Sequence, residues 1–259
     1  MRKNNLYILY SITLLLFSCS NVKILSVTES NIQLTDSIKD ISSEISELIA
    51  PYRDELNKSI NEILNLSAVA MQKPERYDHE AQAQNLLGNF VADLSFTIGK
   101  ELYAPKDGKS IDFCVLNNGG LRTSLPKGEI TRKKVFELMP FENELVVLTL
   151  SGRTTKKLLD YIVSLQGVPM SNLTIVIQQK ELKTALVGEF PFDTAKTYKV
   201  ITSDYLARGG DKMNFFSENL NYEPVGIKLR DAIIKYIEDE KTEGRVITSS
   251  LDKRMTIIE

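Results

Sequence analysis

Apolar residues recur at steps of three and four from Ile38 to Leu66: Ile38, Ile41, Ile45, Leu48, Ile49, Tyr52, Leu56, Ile60, Ile63 and Leu64. That spacing predicts a long amphipathic helix with one apolar face, kinked or divided at Pro51. LSAVA, after it, reads as a short strand, and Val22–Val27 as another near the start of the chain. A second helix is predicted over Asn85–Leu102, with Leu86, Leu87, Phe90, Val91, Leu94 and Ile98 toward a core. Continuous apolar runs mark buried strands at IDFCVL, ELVVLTL, NLTIVIQ and YKVITS, with a last one in RMTII. Between them, TRKKVFEL reads as a short helix. A further helix starts at Gly152 and buries Leu158, Leu159, Ile162 and Val163. Another spans Gly226–Glu240 and buries Ile227, Leu229, Ile233, Ile234 and Ile237. Helices and strands mix without a strict alternation and without repeats. The expected fold class is therefore α+β, with mixed β-sheets flanked by helices.

Composition narrows the function classes. The 259 residues are 42% hydrophobic and 25% charged, enough apolar surface for a full core. The formal charge of -2 gives no basic field for a nucleic acid polymer. MRKNN followed by LYILYSITLLLFS has a basic start and a short apolar stretch, as in a secretory signal. It is shorter than the about 20 residues a membrane-spanning helix needs. The stretch ends in Leu16-Phe17-Ser18-Cys19, similar to the lipobox of bacterial lipoproteins. This implies a lipoprotein signal peptide over 1–18, cleavage before Cys19, lipidation of Cys19, and a tether over 19–32 leading to one domain over 33–259. The expected location is a bacterial cell envelope, anchored by lipid as a periplasmic or outer-membrane lipoprotein. Cys114, inside IDFCVL, then has no partner and is expected as a buried, inert thiol.

Chemistry concentrates in a few short stretches. NNGGLR, residues 117–122, follows the strand IDFCVL with two amides, two glycines and an arginine. Glycines permit backbone geometry that other residues resist and let a ligand approach the main chain. KGEIT leads into LMPF, which ends at Phe141, and DYLARGGDKMNFF holds Tyr205, Gly209, Gly210 and Asp211. LLGNFVADL opens the second helix. In this order the stretches resemble the C-terminal domain of the 5′-nucleotidase family, which includes the UDP-sugar hydrolases. That domain carries an "LGNLIAD" helix, an "NGGGIR" loop, "G-x-I-T" leading to "LPF", and "FLANGGDGY". The resemblance covers most of the chain from about Gln33, and four motifs in order are far more specific than a lone Gly-rich loop.

The resemblance implies a nucleoside or nucleotide site. Phe141 and Tyr205 would be the two rings that sandwich the base, Tyr205 standing where the family more often has phenylalanine. Asp211 would bind the ribose hydroxyls, Asn117 the base, and Arg122 ribose or phosphate oxygens. Gly119, Gly120 and Gly210 would give the ligand room. Each role suits its chemistry. Aromatic faces stack on any base, an ionised carboxylate accepts from both hydroxyls of a diol, and a guanidinium clamps phosphate. Taken singly, each residue also fits an ordinary structural role. Phe141 and Tyr205 suit packing, Asn117 and Asn118 a turn, Arg122 a solvated surface, and Asp211 a cap.

Two departures shape the expected function. Full-length members of the family carry a metallophosphoesterase domain with two metal ions held by Asp, His and Asn. Its motifs are absent from this sequence, and His79, the single histidine, lies in the polar stretch YDHEAQAQ and reads as a surface residue. No catalytic residue and no metal ligand is therefore assigned. Divalent metals are expected on a separate metallophosphoesterase chain, with which this one would act in nucleotide hydrolysis and salvage. The alternative is a non-catalytic nucleoside-binding surface lipoprotein. Seven residues before the glycine of "LGN" the family commonly has an arginine that contacts ligand, and Ala81 stands there. Phosphate is expected to bind more weakly in consequence.

Overall fold

The computed structural model describes residues 43–74 and 84–258. The chain divides into two compact units after Ile49. Of the first, the described part is the opening of helix α1, Ser43–Ile60. α1 runs through Pro51 as one helix, so the chain is not divided there. Its apolar side chains Leu48, Tyr52 and Leu56 are exposed rather than set against a core. The helix also ends earlier than Leu66. Ile63 and Leu64 belong to strand β1, Ile63–Ser67, so the strand expected at LSAVA lies about one turn nearer the N-terminus. The strand expected at Val22–Val27, the signal sequence, Cys19, His79 and Ala81 lie outside the described residues.

The second unit is α+β, as the sequence indicates. Helix α2, Leu86–Leu102, is capped by the Asn85 side chain, which accepts from the Gly88 backbone N–H. It buries Leu87, Phe90, Val91, Leu94 and Ile98. Strand β2, Phe113–Val115, is followed by β3, Gly128–Thr131, and by α3, Arg132–Leu138, with Thr131 as its N-cap. Strand β4, Glu144–Ser151, feeds α4, Gly152–Leu165, which buries the side chains expected of it. Strands β5 (Met170–Ser171), β6 (Leu173–Gln178), β7 (Glu181–Val187), β8 (Phe190–Pro191) and β9 (Thr197–Ser203) come next. The short helix α5, Asp204–Ala207, follows, then β10 (Asn221–Lys228), α6 (Leu229–Thr242) and β11 (Met255–Ile258). Gly226 and Ile227 belong to β10 and not to α6, which begins at Leu229.

A five-stranded sheet in the order β10-β4-β9-β2-β5 forms the centre. Only β2 and β9 run parallel in it; the other pairs are antiparallel. Both faces are buried, and the period of two shows in β4. Leu145 and Val147 join a core with α2 and α6, whereas Val146, Leu148 and Leu150 join a core with α4 and the second sheet. That second sheet has the order β11-β6-β7-β8. Cys114 is fully buried and free, and burial pushes its thiol far above the ordinary range, which fits an inert core residue. Gly152 meets the chain at a point where a Cβ would come within 2.2 Å of the Thr194 carbonyl oxygen.

Candidate functional site

The register of the central sheet brings distant motifs to one edge. β2 and β9 are parallel neighbours, so the loops after both leave the same edge. β4 is antiparallel to β9, with Leu145 paired to Ser203, so the residues just before β4 arrive where those after β9 depart. β10 is antiparallel to β4 and pairs Lys228 with Glu144, which brings its end to this edge too. NNGGLR, MPFEN and DYLARGGD therefore converge, although residue 117 and residue 211 are 94 positions apart.

They enclose one cleft of about 580 Å³, within the size range of small-molecule sites. Its wall contains Asn117, Gly119, Gly120 and Arg122 from the first loop, Phe141 from the second, and Tyr205 and Asp211 from the third. The chain thus places seven of the eight expected ligand-contacting residues in a single concavity. Gly210 is outside the cleft wall. It packs against the Tyr205 ring, where a Cβ would lie 2.5 Å from the ring carbons, so its lack of a side chain seats the ring. Gly209, at φ 92°, makes the left-handed turn before it. Gly119 and Gly120 do not have positive φ, so what they contribute is room and not an unusual backbone.

Phe141 is 41% exposed and Tyr205 44% exposed. Rings serving only as packing would be largely buried, so both are available to a ligand. The Arg122 guanidinium lies 5.9 Å from the centre of the Phe141 ring and donates to the Gly119 carbonyl at 3.2 Å. This cation–π contact places its charge in the cleft next to the ring.

Asp211 is the most constrained polar group. Its backbone sits at φ 48°, ψ 37°, a left-handed conformation that Asp and Asn tolerate best among side-chain-bearing residues. Asn117 Nδ2 donates to Oδ2 at 2.6 Å, and the Tyr205 hydroxyl donates to Oδ1 at 2.8 Å. The Asp211 N–H points back at the Tyr205 oxygen at 3.2 Å, and the Tyr161 hydroxyl donates to the Asp211 carbonyl. The bond to Asp211 holds the Tyr205 phenol above its ordinary pKa. Asn117 therefore meets the carboxylate through its amide, a positioning contact that the expectation of a base-binding amide did not include.

Two cleft residues were not singled out in the sequence, Glu142 and Asn143. Asn143 Nδ2 donates to Asp204 Oδ1 at 3.1 Å. The Glu142 carboxylate is gripped by Lys228 and Arg230, which hold its pKa down to about 2. The signal for both was proximity: they directly follow Phe141 in MPFEN. A second hollow of about 610 Å³ shares Asn117, Gly119 and Asp211 and continues toward Tyr161, Val168 and Met213. It lacks the exposed ring pair and the arginine. Among the described residues no group of three or more His, Cys, Asp or Glu side chains could hold a metal ion. A two-metal centre does not fit them, and no chemical step through metal is assigned to them.

Comparison with known proteins identifies the family and the fold. The family model for the 5′-nucleotidase C-terminal domain matches residues 64–218. The trifunctional nucleotide phosphoesterase protein YfkN of Bacillus subtilis is 25% identical over 249 residues, covering 88% of this chain and 16% of that protein. Protein UshA of Escherichia coli is 28% identical over 145 residues, 53% of this chain and 26% of its own length. This chain thus spans a small part of those relatives. Among solved structures, a 5′-nucleotidase precursor from Thermus thermophilus shares the fold with a TM-score of 0.67 at 22% identity, over 83% of this chain and 43% of that one. Because that family model matches more than half of its residues, the chain belongs to the 5′-nucleotidase C-terminal domain family.

Proposed function

We propose that this cleft binds a nucleoside or nucleotide, with the base between Phe141 and Tyr205, the ribose diol on Asp211 and the ligand's phosphate side toward Arg122. The observation that carries the reading is the presence of two half-exposed aromatic rings, an anchored carboxylate and an arginine in one cleft. Stacking supplies affinity that tolerates different bases. The carboxylate supplies selection for ribose, because its two oxygens each keep a free lone pair after accepting from Asn117 and Tyr205. YfkN and UshA carry further sequence beyond the part matched here. In this reading the metals and the attacking water come from a separate metallophosphoesterase chain, and this chain presents the nucleotide. Lipidation at Cys19, within LFSC, would keep the pair at the bacterial envelope.

Calorimetry of the full chain with adenosine, AMP and free ribose tests the binding half. Saturable binding of adenosine, and far weaker binding of ribose, is expected. No binding of adenosine, AMP or guanosine would refute the reading. AMP hydrolysis that appears only when a metallophosphoesterase is added supports the two-chain arrangement. Binding with no hydrolysis in either case favours a nucleoside-capturing surface lipoprotein. Mass spectrometry of the mature chain should find an acylated cysteine at its N-terminus, and a chain that retains Ser18 would reject the anchor.

A further inference from the structure

Glu142 occupies an unusual electrostatic position for a cleft residue. Its side chain is 62% exposed and lines the cleft immediately after Phe141, yet its carboxylate does not move freely. Lys228 Nζ donates to Oε2 and Arg230 Nη2 to Oε1. Arg230 is itself fixed, with a side chain only 9% exposed and its guanidinium 4.4 Å from the centre of the Phe136 ring. Each carboxylate oxygen therefore accepts one charged bond, which leaves one lone pair apiece. One acceptor site on each oxygen is left, on a carboxylate that stays ionised at any pH near neutral.

Asn143, the next residue, adds to the same acceptor character. Its Nδ2 is engaged by Asp204 Oδ1. An ionised carboxylate can only accept, so the amide orientation is set by chemistry, and Oδ1 is left for other donors. The Asp204 carboxylate is held in turn by Arg208 at 3.3 Å and by the Glu144 N–H at 3.1 Å. The stretch beside the Phe141 ring thus offers acceptors to any base stacked on that ring.

We propose that Glu142 makes this cleft select guanine bases, its carboxylate accepting the paired N1–H and 2-amino N–H of the guanine edge. The inference rests on the nucleoside-binding reading and deepens it. Among common bases only guanine sets two adjacent donors on one edge. Adenine and cytosine present a donor beside a ring-nitrogen acceptor, and uracil presents one donor between two carbonyl oxygens. Each of these brings a lone pair against the carboxylate. Hypoxanthine keeps N1–H but lacks the 2-amino group, so it isolates one of the two bonds. Lys228 and Arg230 act as positioning residues that hold the acceptor pair in place.

The test is calorimetry of the full chain in detergent with guanosine, inosine and adenosine, before and after Glu142→Gln. Guanosine should bind about 10- to 100-fold more tightly than adenosine, the discrimination of one good bidentate base contact, and about 10-fold or more tightly than inosine, which lacks one bond to the charged group. In Glu142→Gln, which keeps the size of an exposed side chain but replaces one acceptor by a donor, guanosine and inosine should bind nearly alike. Equal binding of guanosine and inosine by the unmodified chain, a measurement that needs no variant, would overturn the proposal and leave the nucleoside reading standing. Persistence of the preference in Glu142→Gln would also overturn it. Failure to bind any nucleoside would end both.

Discussion

Replacing Asp211 should abolish discrimination between ribose and 2′-deoxyribose, and the size of the effect follows from the bonds around the carboxylate. Asn117 donates to one oxygen at 2.6 Å and Tyr205 to the other at 2.8 Å. One lone pair per oxygen remains, matching the two hydroxyls of a ribose. A hydrogen bond to a charged group contributes about 1.5–3 kcal/mol, so loss of the 2′-hydroxyl should weaken binding roughly 10- to 150-fold. Asp211 is exposed, which places the expected value toward the lower end. Asp211→Ala removes the acceptor, and the two sugars should then bind alike. Alanine is disfavoured at φ 48°, so some stability is lost as well. Asp211→Asn avoids that complication, because asparagine tolerates the left-handed backbone, and it retains one neutral acceptor. Its ribose preference should fall to about 2- to 10-fold, the range of a neutral hydrogen bond. The assay is calorimetric titration of each variant with a ribonucleoside and its 2′-deoxy counterpart. Equal binding of both sugars by the unmodified chain, or an unchanged preference in Asp211→Ala, would rule out this role for Asp211.

Other outcomes follow from the same structure. Phe141→Ala should weaken nucleoside binding by about 1–3 kcal/mol, the contribution of one stacked base, read by the same titrations. Gly152→Ala should destabilise the fold by about 1–3 kcal/mol in urea unfolding, because its Cβ would press on the Thr194 backbone. Asp252 accepts from Arg254, which depresses its carboxyl below the ordinary 3.8. That contribution to stability is present above the unfolded pKa and is lost as pH falls through the folded one. The urea midpoints of the native chain and Asp252→Asn should therefore differ at pH 7 and converge in acid below 3.8. A gap that does not change with pH would contradict the assignment.

The parts of the fold legible in the sequence were those with one strong period. The spacing of Leu87, Phe90, Val91, Leu94 and Ile98 defines α2, and all five are buried. β4 is readable because both its faces are buried, giving the apolar run Leu145–Leu148 followed by Leu150. β10 was missed for the opposite reason. It is an edge strand with Pro224 and Gly226 inside it, its single buried side chain is the polar Glu223, and Ile227 near its end keeps the spacing of α6. β7 was hidden by its charged outer face, since its residues are buried only at Ala185 and Val187. The overrun of α1 arose because Ile63 and Leu64 keep the helical spacing, while pairing with β3 takes them into a strand. For the site, motif order singled out the rings, the arginine and Asp211, and all four line one cleft. The bond from Tyr205 to Asp211 was not readable, since it depends on a left-handed residue turning the chain back on itself. Nor was the hold of Lys228 and Arg230 on Glu142, which the pairing of β10 with β4 creates.

Whether Phe141 and Tyr205 receive a base between them is decided by a crystal structure of the chain grown with saturating nucleoside. A planar base is expected between these two rings, with the ribose hydroxyls on the Asp211 carboxylate. A nucleoside bound elsewhere on the chain, or this cleft without one under those conditions, would contradict it.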